Sequence, residues 1–363
     1  MTVWQAGMDR RHVVTGARKS AGHRQVLDMT PELPGAKPTL KTISRLSGLA
    51  VPTVSRALSD APDIGAETKK LVRRIADELG YVPNRAGVRL RTGRTNVISL
   101  VLSTEHDMMN HTARLISSLA GALRGTPYHL IMTPYFPGED PLKPIRYIVE
   151  TGSADAVIFN QTQPEDPRVA YLMDRHFPFA THGRTNWADR HAWFDYDNTA
   201  FGRLAVESLA ARGRRDILLV APPMMQTYAQ HIVQGARDMA LTCGVRLTES
   251  VEYSSDSGSE AVRAGVAASL AEHPEIDGII CSSTAAVMAA VAAMESAGQV
   301  LGRDIDVFGK EAIPFLRLFR PQIMALKEDV SQAGEFLARA AIQAIREPDL
   351  PPLQGLDVPH TLG

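Results

Sequence analysis

From residue 96 to residue 345 the chain alternates short apolar runs with longer segments of helical periodicity. Residues 97–102, 129–132, 156–159, 179–181, 216–220, 278–281 and 306–308 read as strands. Residues 112–123, 199–212, 228–241, 259–271, 285–297 and 330–345 carry apolar side chains at helical spacing. Strands separated by helices must pair in parallel, because each crossover returns the chain to the same end of the sheet. This stretch of roughly 260 residues is more than one small sheet can use, so two lobes are expected, with a β/α barrel as the structural rival.

The segment before this alternation has a different texture. Residues 1–37 lack sustained apolar periodicity and end in a Pro/Gly-rich run, which reads as a disordered tail; Met29 offers an alternative start. Three short helical patterns follow. Thr39 is placed to cap a first helix carrying Leu40, Ile43 and Leu46, and Gly48 to end it in a left-handed turn. Pro52 suits the first turn of a second helix that buries Val54 and Leu58. A third helix is expected over residues 66–79, with Leu71, Val72, Ile75 and Leu79 on one face and Gly80 as its stop. Three small helices in about 40 residues, the second pair joined tightly, match the helix-turn-helix plan.

Charge supports the same division. The net charge of −1 hides an asymmetry: residues 1–95 hold 17 Lys+Arg against 8 Asp+Glu, a net of +9, which leaves 22 against 32, a net of −10, for the rest. A basic first quarter on an acidic body points to an anionic partner, with nucleic acid the natural candidate and a solvated basic face the bland one. Cys243 and Cys281 have no metal-type spacing, which suits a reducing cytosol. There is no run of about 18 apolar residues and no apolar core in the basic N-terminus, so neither a membrane span nor a secretory signal is expected, and a cytoplasmic location is.

Residues 38–102 resemble the lac repressor family (LacI/GalR). The matches are Thr53-Val54-Ser55-Arg56, Leu79-Gly80-Tyr81, Pro83-Asn84-Arg85 and Leu90-Arg91-Thr92-Gly93-Arg94-Thr95, in that order. The resemblance implies a helix-turn-helix DNA-binding domain over residues 38–82 and a hinge over 83–95. Residues 96–363 would form the effector-binding and dimerisation domain. The fold implied is a small all-α helix-turn-helix headpiece plus an α/β, two-lobed, periplasmic-binding-protein-like effector domain, its lobes joined by three crossings.

The resemblance places base contacts at Val51, Pro52 and Arg56. Arg56 is able to grip guanine O6/N7, a contact worth ~1–3 kcal/mol of discrimination. Thr53 and Ser55 suit phosphate, or alternatively the backbone groups of a helix end. Asn84, Arg85, Arg89 and Leu90 belong to the hinge segment, where Leu90 would wedge into the minor groove. Ala50 stands where the family usually has a serine, and so loses a capping oxygen. Gly87, where alanine is frequent, weakens the free hinge helix by about 1 kcal/mol.

The likeness continues less tightly to about residue 356, through landmarks at 214–223, 276–291, 302–312 and 326–334. Ligands of doubly wound sheets lie beyond the carboxyl ends of the strands. Polar residues just after the expected strands are therefore effector candidates: Glu105, Asn160, His182, Arg184, Tyr228, His231, Ser283, Glu311 and Glu328. Asn160 and Arg184 fall on familiar ligand positions, Glu311 stands in for a usual aspartate, and Ser283 replaces an asparagine or aspartate. Ile232 occupies a place where most relatives carry arginine, which leaves the polar work to Tyr228 and His231. The His182-Gly183-Arg184 run and the Tyr228/His231 pair look like a subgroup of α-proteobacterial regulators of α-glucoside use. Alternatively, Glu311 serves only Lys310 or backbone, His191 and His273 are solvated loop residues, and Met224-Met225 is packing.

The function implied is a sequence-specific transcriptional regulator, a repressor of sugar-utilisation genes released by a small sugar or sugar-derivative effector. Its partners would be double-stranded operator DNA and a second copy in a homodimer, with no membrane. An activator or corepressor-dependent regulator shares the same physics; a sugar-binding receptor without regulatory role is the alternative of another class. No GxxxxGK[ST], GxSxG or HExxH motif is present, so neither an enzyme nor a cofactor or metal is expected.

Overall fold

Three short helices open the chain as described by a computed structural model, which covers residues 37–82, 89, 93–104, 111–136 and 138–359. Helix α1 (Leu40–Ser47) starts at Thr39, whose hydroxyl accepts from the Thr42 backbone N–H while Thr42 reciprocates, a capping box. Gly48 ends it at φ 69°, the left-handed conformation that favours glycine. Helix α2 (Val51–Leu58) has no side-chain cap at Ala50. The turn before it is tied from outside, by the Ser44 hydroxyl donating to the Leu49 carbonyl at 2.6 Å. Helix α3 (Ala66–Glu78) runs to Leu79 and Gly80.

Ile43, Val54, Ala57, Val72, Ile75 and Ala76 close the core of this bundle, with Leu40, Leu58, Leu71 and Leu79 at its edge. Leu46, expected on the same face, is 55% exposed. Positions 40, 43 and 46 each lag a helical turn by about 60°, so the third lies some 120° from the first.

The chain divides into two units, Met1–Asn84 and Arg85–Gly363. The larger holds two wholly parallel sheets. In the first, β1 (Val97–Ser103), β2 (His129–Tyr135), β3 (Ala156–Asn160), β4 (Phe179–His182), β5 (Ala192–Tyr196) and β11 (Gln354–Asp357) take the order β11-β5-β4-β3-β1-β2. In the second, β6 (Asp216–Val220), β7 (Arg246–Glu249), β8 (Gly278–Cys281), β9 (Asp306–Glu311) and β10 (Met324–Lys327) take the order β10-β9-β8-β6-β7. Open sheets in separate lobes replace the barrel alternative.

Helices α4 (His111–Ala122) and α12 (Val330–Arg346) cover one face of the first sheet, α5 (Leu142–Thr151) and α6 (Pro167–Asp174) the other. The second lies between α7 (Asn198–Ala211) with α8 (Thr227–Cys243) and α9 (Ser259–Glu272) with α10 (Thr284–Ser296). A short α11 (Leu316–Phe319) precedes β10.

Strands β5, β7, β10 and β11 and helices α5, α6 and α11 lie outside the sequence-based expectation. β7 and β11 are edge strands with half-exposed polar residues, and β5 carries Asp195, so none reads as an apolar run. Pro141, Pro144 and Pro167 stand at helix starts, where proline is tolerated but reads as a break. His191 is buried against Thr185 rather than solvated, whereas Met224 and Met225 are exposed rather than packed.

Two crossings join the lobes within the described residues, β5 to α7 at Asp197 and β10 to α12 at Glu328–Asp329. The expected third is not among them, because β11 returns to the first sheet beside β5. In both sheets the first strand lies between the second and third, so the winding reverses between β1 and β3 and between β6 and β8. Carboxyl ends at such reversals leave a crevice.

Candidate functional site

On α2 the residues facing away from the core are Pro52 and Arg56, both exposed, with Val51, Thr53 and Ser55 half-buried beside them. Val54 and Ala57 fill the core from the opposite face. The Thr53 and Ser55 hydroxyls make no side-chain hydrogen bond to other described residues, so neither is spent on a helix end. Arg56 is engaged: its Nη2 lies 2.5 Å from Asp63 Oδ2, a pair with side chains 57% and 46% exposed. In the second unit, Arg89 is exposed and donates from Nη2 to the Thr151 carbonyl at 2.7 Å, at the end of α5. Asn84, Arg85 and Leu90 lie outside the described residues.

The crevice of the larger unit encloses a cavity of about 550 Å³. It sits where the carboxyl ends of both sheets meet. Six of the predicted effector residues line it: Asn160, His182, Tyr228, Ser283, Glu311 and Glu328. Arg184 and His231 do not, and Glu105 lies outside the described residues. Arg184 stands behind the wall, its Nε donating to Asp195 Oδ2 at 2.7 Å and its guanidinium over Trp193. His231 keeps a buried Nδ1 without a hydrogen-bond partner among the described residues, and burial, with the Arg184 charge nearby, lowers its pKa. Ile232, in place of the family's arginine, is fully buried in the second lobe's core. There α7 and α8 touch through glycine: a Cβ on Gly235 would lie 2.1 Å from the Thr199 carbonyl oxygen.

Glu328 organises the floor. Lys310 Nζ lies 2.8 Å from its Oε2, and His111 Nε2 3.1 Å from its Oε1. His182 Nε2 is 3.7 Å from the same Oε1, and its ring stacks on His111 with centroids 5.2 Å apart. Burial, the largest single influence, works to raise the Glu328 pKa, but Lys310, His111 and His182 together outweigh it and hold the carboxyl well below its ordinary range. Burial, reinforced by the neighbouring His111, pushes His182 down to about 3.

The walls are equally cross-linked. Tyr228 donates to Asp256 Oδ2 at 2.7 Å, and burial together with that carboxylate drives the phenol well above its usual value. Burial raises Asp195 to about 6 against the opposing pull of Arg184. Ser283 caps α10 by accepting from the Ala286 N–H, and its hydroxyl donates to the Ser255 carbonyl. Glu311 accepts from the Phe315 and Leu316 backbone N–H groups at 2.8 and 2.7 Å. Of the readings for Glu311, the backbone one describes its Oε2; Lys310 turns instead to Glu328.

His111, Asp195, Asn198, Asp256 and Lys310 line the cavity without having been singled out. Lys310 is beside Glu311 on β9, and Asp195 lies in the unrecognised β5. Recognising that strand from Trp193-Phe194 and the following helix cap would have found Asp195. Nothing local marks Asp256, which sits in the loop between β7 and α9. A second hollow of about 460 Å³, lined by Arg212, Arg303 and Arg317, carries none of the predicted residues. Among the described residues no helix is long and apolar enough to cross a membrane.

Residues 39–84 match the family described as bacterial regulatory proteins, lacI family. Residues 100–334 match periplasmic binding proteins and sugar binding domain of LacI family. The chain is similar to the HTH-type transcriptional regulator AglR of Rhizobium meliloti (strain 1021), 29% identical over 312 residues that cover 84% of this chain and 87% of the relative. It is 25% identical to the HTH-type transcriptional regulator CelR of Thermobifida fusca over 318 residues, 85% and 92% of the two chains. Its fold is that of the lac repressor dimer bound to operator and the anti-inducer ONPF, at a TM-score of 0.77 and 17% identity over 90% of this chain and 98% of the other. The CelR–cellobiose complex aligns at 0.64 and 22% identity, over 90% of this chain and all of the other.

Proposed function

The chain belongs to the lacI family of bacterial regulatory proteins, and from that premise we propose that it is a sequence-specific DNA-binding transcriptional regulator whose hold on an operator is governed by a small sugar in the cleft. The observation that carries this reading is one chain that joins a lacI-type helix-turn-helix to a cavity at the switch points of two parallel sheets. The chain works as a cytoplasmic homodimer without catalysis, because a single small headpiece makes too few contacts and two read a pseudo-palindrome. In this assignment residues 38–82 are the DNA-binding domain, 83–95 the hinge and 96–363 the effector domain.

Val51, Pro52 and Arg56 face base edges, and the unspent hydroxyls of Thr53 and Ser55 suit phosphate. Asn84, Arg85, Arg89 and Leu90 serve the hinge, with Leu90 as the minor-groove wedge.

The cleft suits a neutral, hydroxyl-rich ligand. Asp195, Asp256 and Glu328 accept from hydroxyls, Lys310 and Asn160 donate to them, and Tyr228 offers an aromatic face. Arg184 and His231 act from behind, through Asp195 and the wall. Relatives are named for regulators, and the solved CelR is a cellobiose complex, which supports a sugar of one or two rings.

A sugar alters the operator affinity only by binding one arrangement of the lobes more tightly than the other. Release of a repressor is the sense proposed. The test is selection of palindromic duplexes by the purified chain at near-physiological salt, followed by gel shifts with mono- and disaccharides found by thermal shift. Site-selective binding relieved by one sugar is the expected result. Equal affinity for selected and random duplex, with and without sugars, would overturn the reading.

A further inference from the structure

We propose that His111, His182 and Glu328 form a binding site for a divalent transition-metal ion at the floor of the cleft, with Zn²⁺ the ion its donors suit best. One ligand atom from each of the three residues lies within 4.8 Å of the other two. Among the described residues it is the one trio of histidine, cysteine or carboxylate side chains close enough to share an ion. Their spacing in sequence carries no metal signature, and only β4, the start of α4 and the crossing after β10 bring them together.

One distance separates this arrangement from a plain hydrogen-bonded cluster, since His111 meets Glu328 at hydrogen-bond range and His182 does not. Ligands bound to Zn²⁺ at about 2.0–2.1 Å in a tetrahedron stand about 3.3–3.4 Å from one another. The two imidazole-to-carboxylate separations, 3.1 and 3.7 Å, straddle that edge. The longer is beyond a hydrogen bond. His182, with a side chain 8% exposed, makes no hydrogen bond to the described residues although both its nitrogens have that capacity. Its ring lines the cavity, so its nitrogens stay open to an ion there.

Two imidazoles and one carboxylate are the donor set of an open, three-ligand zinc site, and imidazole nitrogen selects against calcium and magnesium. All three residues line the cavity, so the fourth position faces its contents. Lys310 approaches the far oxygen of Glu328, 2.8 Å from Oε2, and leaves Oε1 toward the histidines. Its charge makes the site weaker than a closed structural one, able to fill and empty. His111 and His182 belong to the first lobe and Glu328 to a crossing between lobes. A bound ion therefore ties the first lobe to that crossing, whether or not a sugar is the effector.

The test uses the untagged full chain, stripped with chelator and titrated with Co²⁺, whose visible ligand-field absorption reports coordination. The expected result is one equivalent bound with the intense band of a four-coordinate site, displaced by Zn²⁺. His111→Ala and His182→Ala should each weaken binding at least tenfold, since loss of an outer-shell partner alone costs ~10–100-fold. Circular-dichroism melts establish that the variants fold; His111, 37% exposed, is the milder site and carries the test alone if His182→Ala does not. Absence of the band from the wild-type chain, or an affinity unchanged in the folded variants, would overturn the proposal.

Discussion

On α2 the polar side chains are held loosely: Thr53 and Ser55 make no side-chain hydrogen bond to described residues, and Arg56 shares an exposed ion pair with Asp63. In the cleft they are already committed, Lys310 to Glu328, Tyr228 to Asp256, Asp195 to Arg184 behind the wall and Glu311 to backbone. The difference follows from solvent. Water satisfies an exposed hydroxyl or guanidinium at little cost until a phosphate or base replaces it. A buried charge has no such reserve and must be paired within the protein. Polar groups of one kind thus stay loosely held on one unit and form a preorganised lattice in the other.

Substitutions should separate the two behaviours. Glu328→Ala strands Lys310 in the floor of the cleft and should cost about 3–5 kcal/mol of stability in denaturant unfolding. A loss under 1 kcal/mol would mean that the floor is as well hydrated as α2. Gly235→Ala drives a Cβ into the Thr199 carbonyl and should cost about 1–3 kcal/mol, read as a lower melting temperature with the headpiece unaffected. Arg56→Ala should leave stability within about 0.5 kcal/mol while removing ~1–3 kcal/mol of base discrimination, with a salt-sensitive residual affinity. An unchanged binding profile over operator variants takes Arg56 off the reading face. Tyr228→Ala should blunt the sugar response without lowering operator affinity in its absence; a normal dose–response curve would move the ligand elsewhere in the cleft. Asp63→Asn frees Arg56 from an exposed pair worth about 0.2–1 kcal/mol, so duplex affinity at low salt should rise a few-fold at most.

Much of the fold was legible because its signals are short-ranged. Thr39, Gly48 and the apolar positions of α1 to α3 act within one or two helical turns, and the strands at 216–220 and 278–281 coincide with their apolar runs. Leu46 marks the limit of that reading, since spacing by threes slides off the buried face. The cleft was half legible. The rule that ligands gather after strands found Asn160, His182, Tyr228, Ser283, Glu311 and Glu328, but it also named Arg184 and His231, which stand behind the wall. It passed over Asp195 and Lys310, which lie within strands, and His111, which begins a helix.

By itself the amino-acid sequence determined that three short helices precede a parallel α/β body and that the basic charge lies in the first quarter. These depend on interactions between residues a few positions apart, which a linear chain displays. Only the tertiary structure decided that Glu328 meets Lys310, His111 and His182, or that Asp63 reaches Arg56. Parallel winding brings to one edge residues separated by whole crossovers, and no local pattern encodes which of them meet.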